Sequence, residues 1–274
     1  RLCNIMLQDS AHIQEQEAEW QNRKAERSGY QQYIPVYTVA DALESLKLFE
    51  GHGYNKPIEI FEGVTINFCD AGHLLGSSSI HITVNENGKE RTVLFSGDLG
   101  NIDRPLIRNP QNPPYADYVV IESTYGDRVH GERPDYIAQL TKIMQETFSK
   151  GGNLVIPSFA IGRTQELLYL FRTIKEQGLV KGHENFIVYV DSPLAVEATK
   201  IYQDNLMGYY DEETLALVKQ GINPISFPGL RLSVTTDESR AINFDMIPKV
   251  IISASGMCEA GRIRHHLKHN LWRE

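Results

Sequence analysis

The stretch that most constrains the fold covers residues 64–101, VTINFCDAGHLLGSSSIHITVNENGKERTVLFSGDLGN. Val64, Ile66 and Phe68 alternate with Thr65, Asn67 and Cys69, the two-residue period of a half-buried strand, and the run ends at Asp70-Ala71-Gly72-His73. Ile80, Ile82 and Val84 alternate again toward Asn87-Gly88, a dipeptide suited to a two-residue hairpin, and residues 92–95 return to Ser96-Gly97-Asp98. A strand pair joined at Asn87-Gly88 brings segment 76–78 beside segment 96–98, so His73 and Asp98 are expected on neighbouring loop tips. An imidazole and a carboxylate converging there form half of a hydrolytic metal site. Taken singly, His73 also reads as a hydrogen-bonded core histidine and Asp98 as a turn former before glycine. Taken together, with Gly72, Gly76, Gly97 and Gly100 letting backbone approach closely, they read as metal ligands.

DAGHLLGSSSI followed by FSGDLGN resembles the third and fourth metal-ligand motifs of the metallo-β-lactamase superfamily. ESTYG, SFAIGRTQELLYL, DSPLA and SASGMCEAGRIRHHL, further along, resemble its β-CASP branch. These motifs are in order and span nearly the whole chain. The resemblance implies an α/β chain: part of a metallo-β-lactamase αββα sandwich over residues 1–126, then a β-CASP α/β domain with a mostly parallel sheet over residues 127–274. It implies a zinc-dependent hydrolase that cleaves RNA phosphodiester bonds by metal-activated water, with Asp98 bridging two zinc ions and His73 holding one. Glu122, in ESTYG, falls where β-CASP proteins carry an acidic residue beside the metal centre, and a role orienting a ligand or a catalytic histidine is expected for it.

The superfamily's main zinc motif, HxHxDH, does not occur in the sequence, and the chain opens on Arg1. Two further histidines that the β-CASP branch carries are also expected beyond its end. The chain therefore reads as the middle of a longer enzyme, inactive by itself. A DNA-processing nuclease of the same family and a non-catalytic scaffold subunit of an RNA-processing complex are the alternatives. His73, Asp98 and Glu122 speak against the scaffold, and HxHxDH just upstream of Arg1 would decide between scaffold and enzyme.

The rest of the sequence supplies the setting. A composition of 41% hydrophobic and 23% charged residues over 274 positions is that of a globular protein of one large or two moderate domains. No run of about 18 apolar residues is present, so no membrane span is expected. Three scattered cysteines without CxxC spacing argue against a disulfide framework or a cysteine zinc site and point to a reducing, cytoplasmic compartment. The net charge of −8 weighs against long-range attraction to phosphates, although metal ions and a few local arginines suffice to hold a scissile phosphate. RNA is the expected partner and DNA the second choice, and the sequence leaves homo-oligomerisation open.

Residues 1–29 read as a polar helix with one thin apolar stripe, His12 on its solvated side. Thr38 is a plausible N-cap for a helix over 39–49 with Ala40, Leu43, Leu46 and Phe49 on its apolar face. His52 reads as a loop residue, and residues 118–121 as a buried strand ending at Glu122. From about residue 127 helices and strands alternate, which predicts a parallel sheet. In Ser158-Phe159-Ala160-Ile161-Gly162-Arg163, between a strand and a helix, the Ser158 hydroxyl and the Arg163 guanidinium are candidate contacts for an anionic group, while an Arg163 ion pair with a nearby carboxylate is the competing reading. Asp191 is expected to cap the following helix. Arg262 and His266, four apart on a basic helix over 260–269, are expected to share a face, solvated or turned to nucleic acid. His265 points elsewhere.

Overall fold

The computed structural model describes residues 1–25, 32–129, 131, 134–204 and 206–273. Two compact units are distinguishable, Arg1–Gly51 and His52–Glu274. The first consists of α1 (Leu2–Ala25) packed on α2 (Val39–Leu46). Gly29, the expected stop of the first helix, lies outside the described residues. Thr38 opens α2 as expected: its hydroxyl accepts the Asp41 N–H and the Asp41 carboxylate accepts the Thr38 N–H, a reciprocal capping box. The expected apolar face is not the packed one. α2 ends at Leu46, Ala42 is its buried residue, and Ala40, Leu43 and Phe49 are exposed. On α1 the buried residues among those described are Ala11 and Ala18; Leu2, Ile5, Leu7 and, on α2, Leu46 are half-buried, whereas Met6, Ile13, Trp20 and Leu43 are exposed. His12 is exposed, 2.8 Å from the Gln16 amide.

In the second unit β1 (Ile58–Phe61), β2 (Val64–Asp70), β3 (Ser78–Glu86), β4 (Lys89–Phe95) and β5 (Tyr118–Val120) form one sheet in sequence order. The first four are antiparallel and β5 joins β4 in parallel. Asn87 and Gly88 have φ values of 53° and 73°, the left-handed pair that a two-residue hairpin with native twist requires. The register pairs Glu86 with Lys89, Ile80 with Phe95 and Asp70 with Ser78, so the loops after β2 and β4 leave from the same end of the sheet. Two expectations fail here. β2 does not alternate in burial: residues 64–68 are half-buried and only Cys69 and Asp70 are buried. The strand before Glu122 is not buried either. β5 is the last strand of its sheet, paired on one side only, and Tyr118, Val119 and Val120 are each more than half exposed.

The second sheet has the order β6-β9-β7-β8, all pairings parallel, from β6 (Leu154–Pro157), β7 (Ile187–Asp191), β8 (Leu230–Ser233) and β9 (Lys249–Ser253). Between and after these strands run α3 (Tyr136–Ser149), α4 (Arg163–Glu176), α5 (Pro193–Asp204), α6 (Leu206–Tyr209), α7 (Glu212–Lys219), α8 (Thr236–Phe244) and α9 (Ile263–Asn270). The alternation fits the parallel pairing, because parallel neighbours need crossovers. All five residues of the central β9 are buried, as in a strand covered on both faces. Met144, Phe148, Leu168, Phe171 and Ile174 supply the helical part of the core. Gly151 and Gly178, at φ 77° and 56°, end α3 and α4. The expected domain boundary near residue 126 falls in the segment that joins β5 to α3. Because β6 and β9 are parallel neighbours, the loops that follow them, 158–162 and 254–262, emerge side by side at the carboxyl edge, where open α/β sheets receive ligands.

Candidate active site

The loops after β2 and β4 are in backbone contact. Gly100 N–H donates to Ala71 O at 2.8 Å, and a Cβ at Gly100 would lie 1.8 Å from Gly72 O, so no other residue fits there. A Cβ at Gly97 would meet Ser78 O at 3.1 Å, the approach expected from the hairpin. His73 and Asp98 therefore ride on abutting loops.

Their surroundings differ from those of structural residues. The His73 ring makes no hydrogen bond among the described residues, whereas buried His81 is bonded through Nε2 to Tyr115 O at 3.0 Å. Asp98 is exposed, and no hydrogen bond or ion pair engages its carboxylate among the described residues. Glu122 stands beside both. Its carboxylate accepts the Leu99 N–H at 2.6 Å and the Thr124 hydroxyl at 2.7 Å, and the Leu99 bond above all, then the Thr124 bond and nearby His73, hold the acid below the usual glutamate range. Glu122 thus fixes the backbone next to Asp98 within electrostatic reach of His73.

One imidazole nitrogen and carboxylate oxygens are donors that a zinc-type ion accepts. Among the described residues no group of three or more His, Cys, Asp or Glu side chains is assembled to hold a metal. His73 and Asp98 therefore fit such an ion as part of a ligand set.

The loop carrying His73 is held from many sides. Ser77 Oγ accepts the N–H groups of His73 and Leu74, at 3.0 and 3.1 Å. The buried Asp70 carboxylate accepts the Gly72 N–H at 2.9 Å and pairs with Arg108 at 3.1 Å. Arg104 reaches His73 O at 3.5 Å and forms an ion pair with Glu166 of α4. At Gly162, whose φ of 82° suits glycine, a Cβ would come within 2.5 Å of Leu74 Cδ2, so the start of α4 abuts the same loop.

Of the two expected anion contacts, Arg163 and Ser158, only the first faces solvent. Arg163 pairs with Glu166 at 3.0 Å, the competing reading, yet its side chain is still 56% exposed. Ser158 is buried, accepts the Thr164 hydroxyl at 3.1 Å and donates to Phe159 O at 3.2 Å, so its hydroxyl braces the loop from within.

Two features escaped the sequence reading. Glu166 is a buried carboxylate shared by Arg104 and Arg163; the spacing of three from Arg163 on a helix was the available signal. The second is a closed network at the end of β7. Asp191 is fully buried and does not cap α5, whose Ala195 N–H is taken by Ser192 Oγ at 3.3 Å. Instead it accepts bonds from Ser233 at 2.7 Å, Ser239, Arg262 at 2.7 Å and His266 Nε2 at 2.6 Å. Arg262 and His266 do share a helix face, but that face is turned inward: His266 is fully buried, with Nδ1 3.0 Å from Asn243 Oδ1. The basic helix face expected to be solvated, or to meet nucleic acid, is for these two residues the lid of a buried carboxylate.

Residues 164–274 match the Beta-Casp domain. Residues 164–274 therefore carry a β-CASP domain. Ribonuclease TTHA0252 of Thermus thermophilus is 38% identical over 244 residues, 86% of this chain and 52% of that protein. The RNase J-like protein of Methanocaldococcus jannaschii is 31% identical over 236 residues, 85% of this chain and 52% of the relative. Endoribonuclease YSH1 of Yarrowia lipolytica is 29% identical over 242 residues, 88% of this chain and 28% of the relative. The chain thus spans about half the length of the first two relatives, or less than a third in the case of the last.

Proposed function

We propose that this chain carries part of the catalytic centre of a metal-dependent ribonuclease that hydrolyses RNA phosphodiester bonds. The observation that carries the reading is the backbone contact of Gly100 with Ala71 and Gly72, which sets on abutting loops an imidazole and a carboxylate that have no bonded partner among the described residues. Zinc, two ions in the complete site, is the metal we assign, and His73 and Asp98 would be among the residues that hold it. When bound, such ions supply an activated water and neutralise charge on the phosphate. This chain's residues do the positioning: Glu122 holds the loop of Asp98 through Leu99 N–H, within electrostatic reach of His73. The exposed Arg163 takes a phosphate oxygen of the bound strand by charge-assisted hydrogen bonds, exchanging part of its pairing with Glu166. The names of the relatives, ribonuclease and endoribonuclease, support RNA as the substrate. Three free cysteines suit a reducing, cytoplasmic compartment.

The test uses the full-length protein. Metal analysis and cleavage of labelled RNA by wild type and Asp98→Ala should show metal and hydrolysis in the first and neither in the second. Unchanged metal content and cleavage in the variant would remove Asp98 from the site.

A further inference from the structure

A buried polar cluster joins the loop of His73 to the β-CASP helices. Tyr202, on α5, is 1% exposed, and its Oη accepts the Leu75 N–H at 3.3 Å across 127 positions of sequence. Its carbonyl accepts the Tyr210 hydroxyl at 2.7 Å, and Tyr210 is fixed in turn by its bridge to Ile107. Burial, with a smaller contribution from nearby Glu166, pushes the Tyr202 phenol up to about 12, so it remains a neutral hydroxyl beside Glu166 and Arg104. Arg104 holds His73 O on one side and Glu166 on the other. The DAGHLLG loop thus has two of its backbone groups, at His73 and Leu75, held by a cluster rooted in α4 and α5.

We infer that Tyr202 and Arg104 are positioning residues, which lock the loop of His73 from the β-CASP helices so that the imidazole is pre-aimed at the metal. The inference rests on the reading of His73 as a ligand and goes beyond it, because it assigns the second sheet's helices a part in metal geometry as well as in substrate contact. A ligand held by a rigid support binds its ion without first losing conformational freedom, and a partner that orients a ligand typically matters for affinity. Neither residue touches substrate. Losing the Leu75 bond leaves a half-buried N–H unpaired, so the loop opens more often while the sheets stay closed.

Amide hydrogen exchange, zinc affinity and steady-state kinetics on the full-length protein test this with Tyr202→Phe, which removes one oxygen and keeps the ring, and with Arg104→Met and Arg104→Lys. Exchange at residues 73–77 should speed up about fivefold or more in Tyr202→Phe while β6, β7 and β9 are unchanged. Zinc dissociation should rise by a similar factor, kcat should fall with KM unmoved, and Arg104→Lys should recover part of what Arg104→Met loses. Unchanged exchange at 73–77, or faster exchange throughout the β-CASP sheet, would overturn the inference, the latter marking these residues as general packing. If the wild type takes up no zinc and cleaves no RNA while the local exchange pattern still holds, the nuclease reading fails and the lock stands.

Discussion

Asp98 and Asp191 occupy the same kind of place, the carboxyl end of a β-strand, and the molecule treats them in opposite ways. Asp98 is exposed with no bonded partner among the described residues, while Asp191 is fully buried under two serines, an arginine and a histidine. A carboxylate whose lone pairs are filled by its own protein serves the fold. One left empty on a braced loop is free for an ion or a substrate. Stability measurements should separate the two.

The largest effect is expected at Asp191. Asp191→Ala strands Arg262 and His266 beside a buried, unpaired space and should cost about 3–5 kcal/mol in denaturant unfolding. A loss below about 1 kcal/mol would mean that the network is not holding the helix over residues 263–270. The same carboxylate makes stability depend on pH. Burial pushes its pKa up, but the bonds from His266, Ser239, Ser233 and Arg262 outweigh that and hold it at about 2, against 3.8 when unperturbed. A depressed folded-state value contributes stability that is complete above the ordinary value and is lost as pH falls through it toward 2. The expected loss, about 2 kcal/mol between roughly pH 4.5 and 1.5, should be absent in Asp191→Asn.

Gly100→Ala comes next. Its methyl would overlap the Gly72 carbonyl, so the loops must separate, at about 1–3 kcal/mol by thermal or chemical denaturation. In the full-length protein it should also weaken metal binding if the proposed ligands His73 and Asp98 hold the ion, since both ride on those loops. Arg163→Ala should cost less than about 1 kcal/mol, because the guanidinium is more than half exposed and Glu166 keeps Arg104. Its signature lies elsewhere: the salt dependence of RNA binding should flatten by about one neutralised phosphate, and Arg163→Lys should recover only part of the affinity. A stability loss with an unchanged salt slope would reduce Arg163 to an ion-pair partner. The smallest stability effect belongs to Asp98→Ala, within about 0.5 kcal/mol, even as metal and hydrolysis disappear.

How much was legible in the sequence follows from the range of each interaction. The hairpin at Asn87-Gly88, the Thr38 cap and the parallel sheet are encoded within a few residues or in the periodicity, and all are present. The meeting of the loops of His73 and Asp98 follows from the same hairpin. Burial was less readable. Tyr118, Val119 and Val120 are apolar enough for a core, but a core strand needs neighbours on both sides and β5 has one. Arg262 and His266 look solvated because the carboxylate that engages both, Asp191, lies 71 and 75 positions away in sequence.

By itself, the sequence determined the local backbone, the order of elements, and which loops carry an imidazole and a carboxylate. Only the tertiary structure decided which polar groups are filled. Asp191 finds His266 75 positions away, Leu75 finds Tyr202 across 127, and Arg104 finds Glu166 across 62. Hydrogen bonds of that sequence separation leave no periodic trace, because their partners are brought together by sheet order and helix packing, and it is there that the side chains of His73 and Asp98, without a bonded partner among the described residues, became distinguishable from the bonded ones.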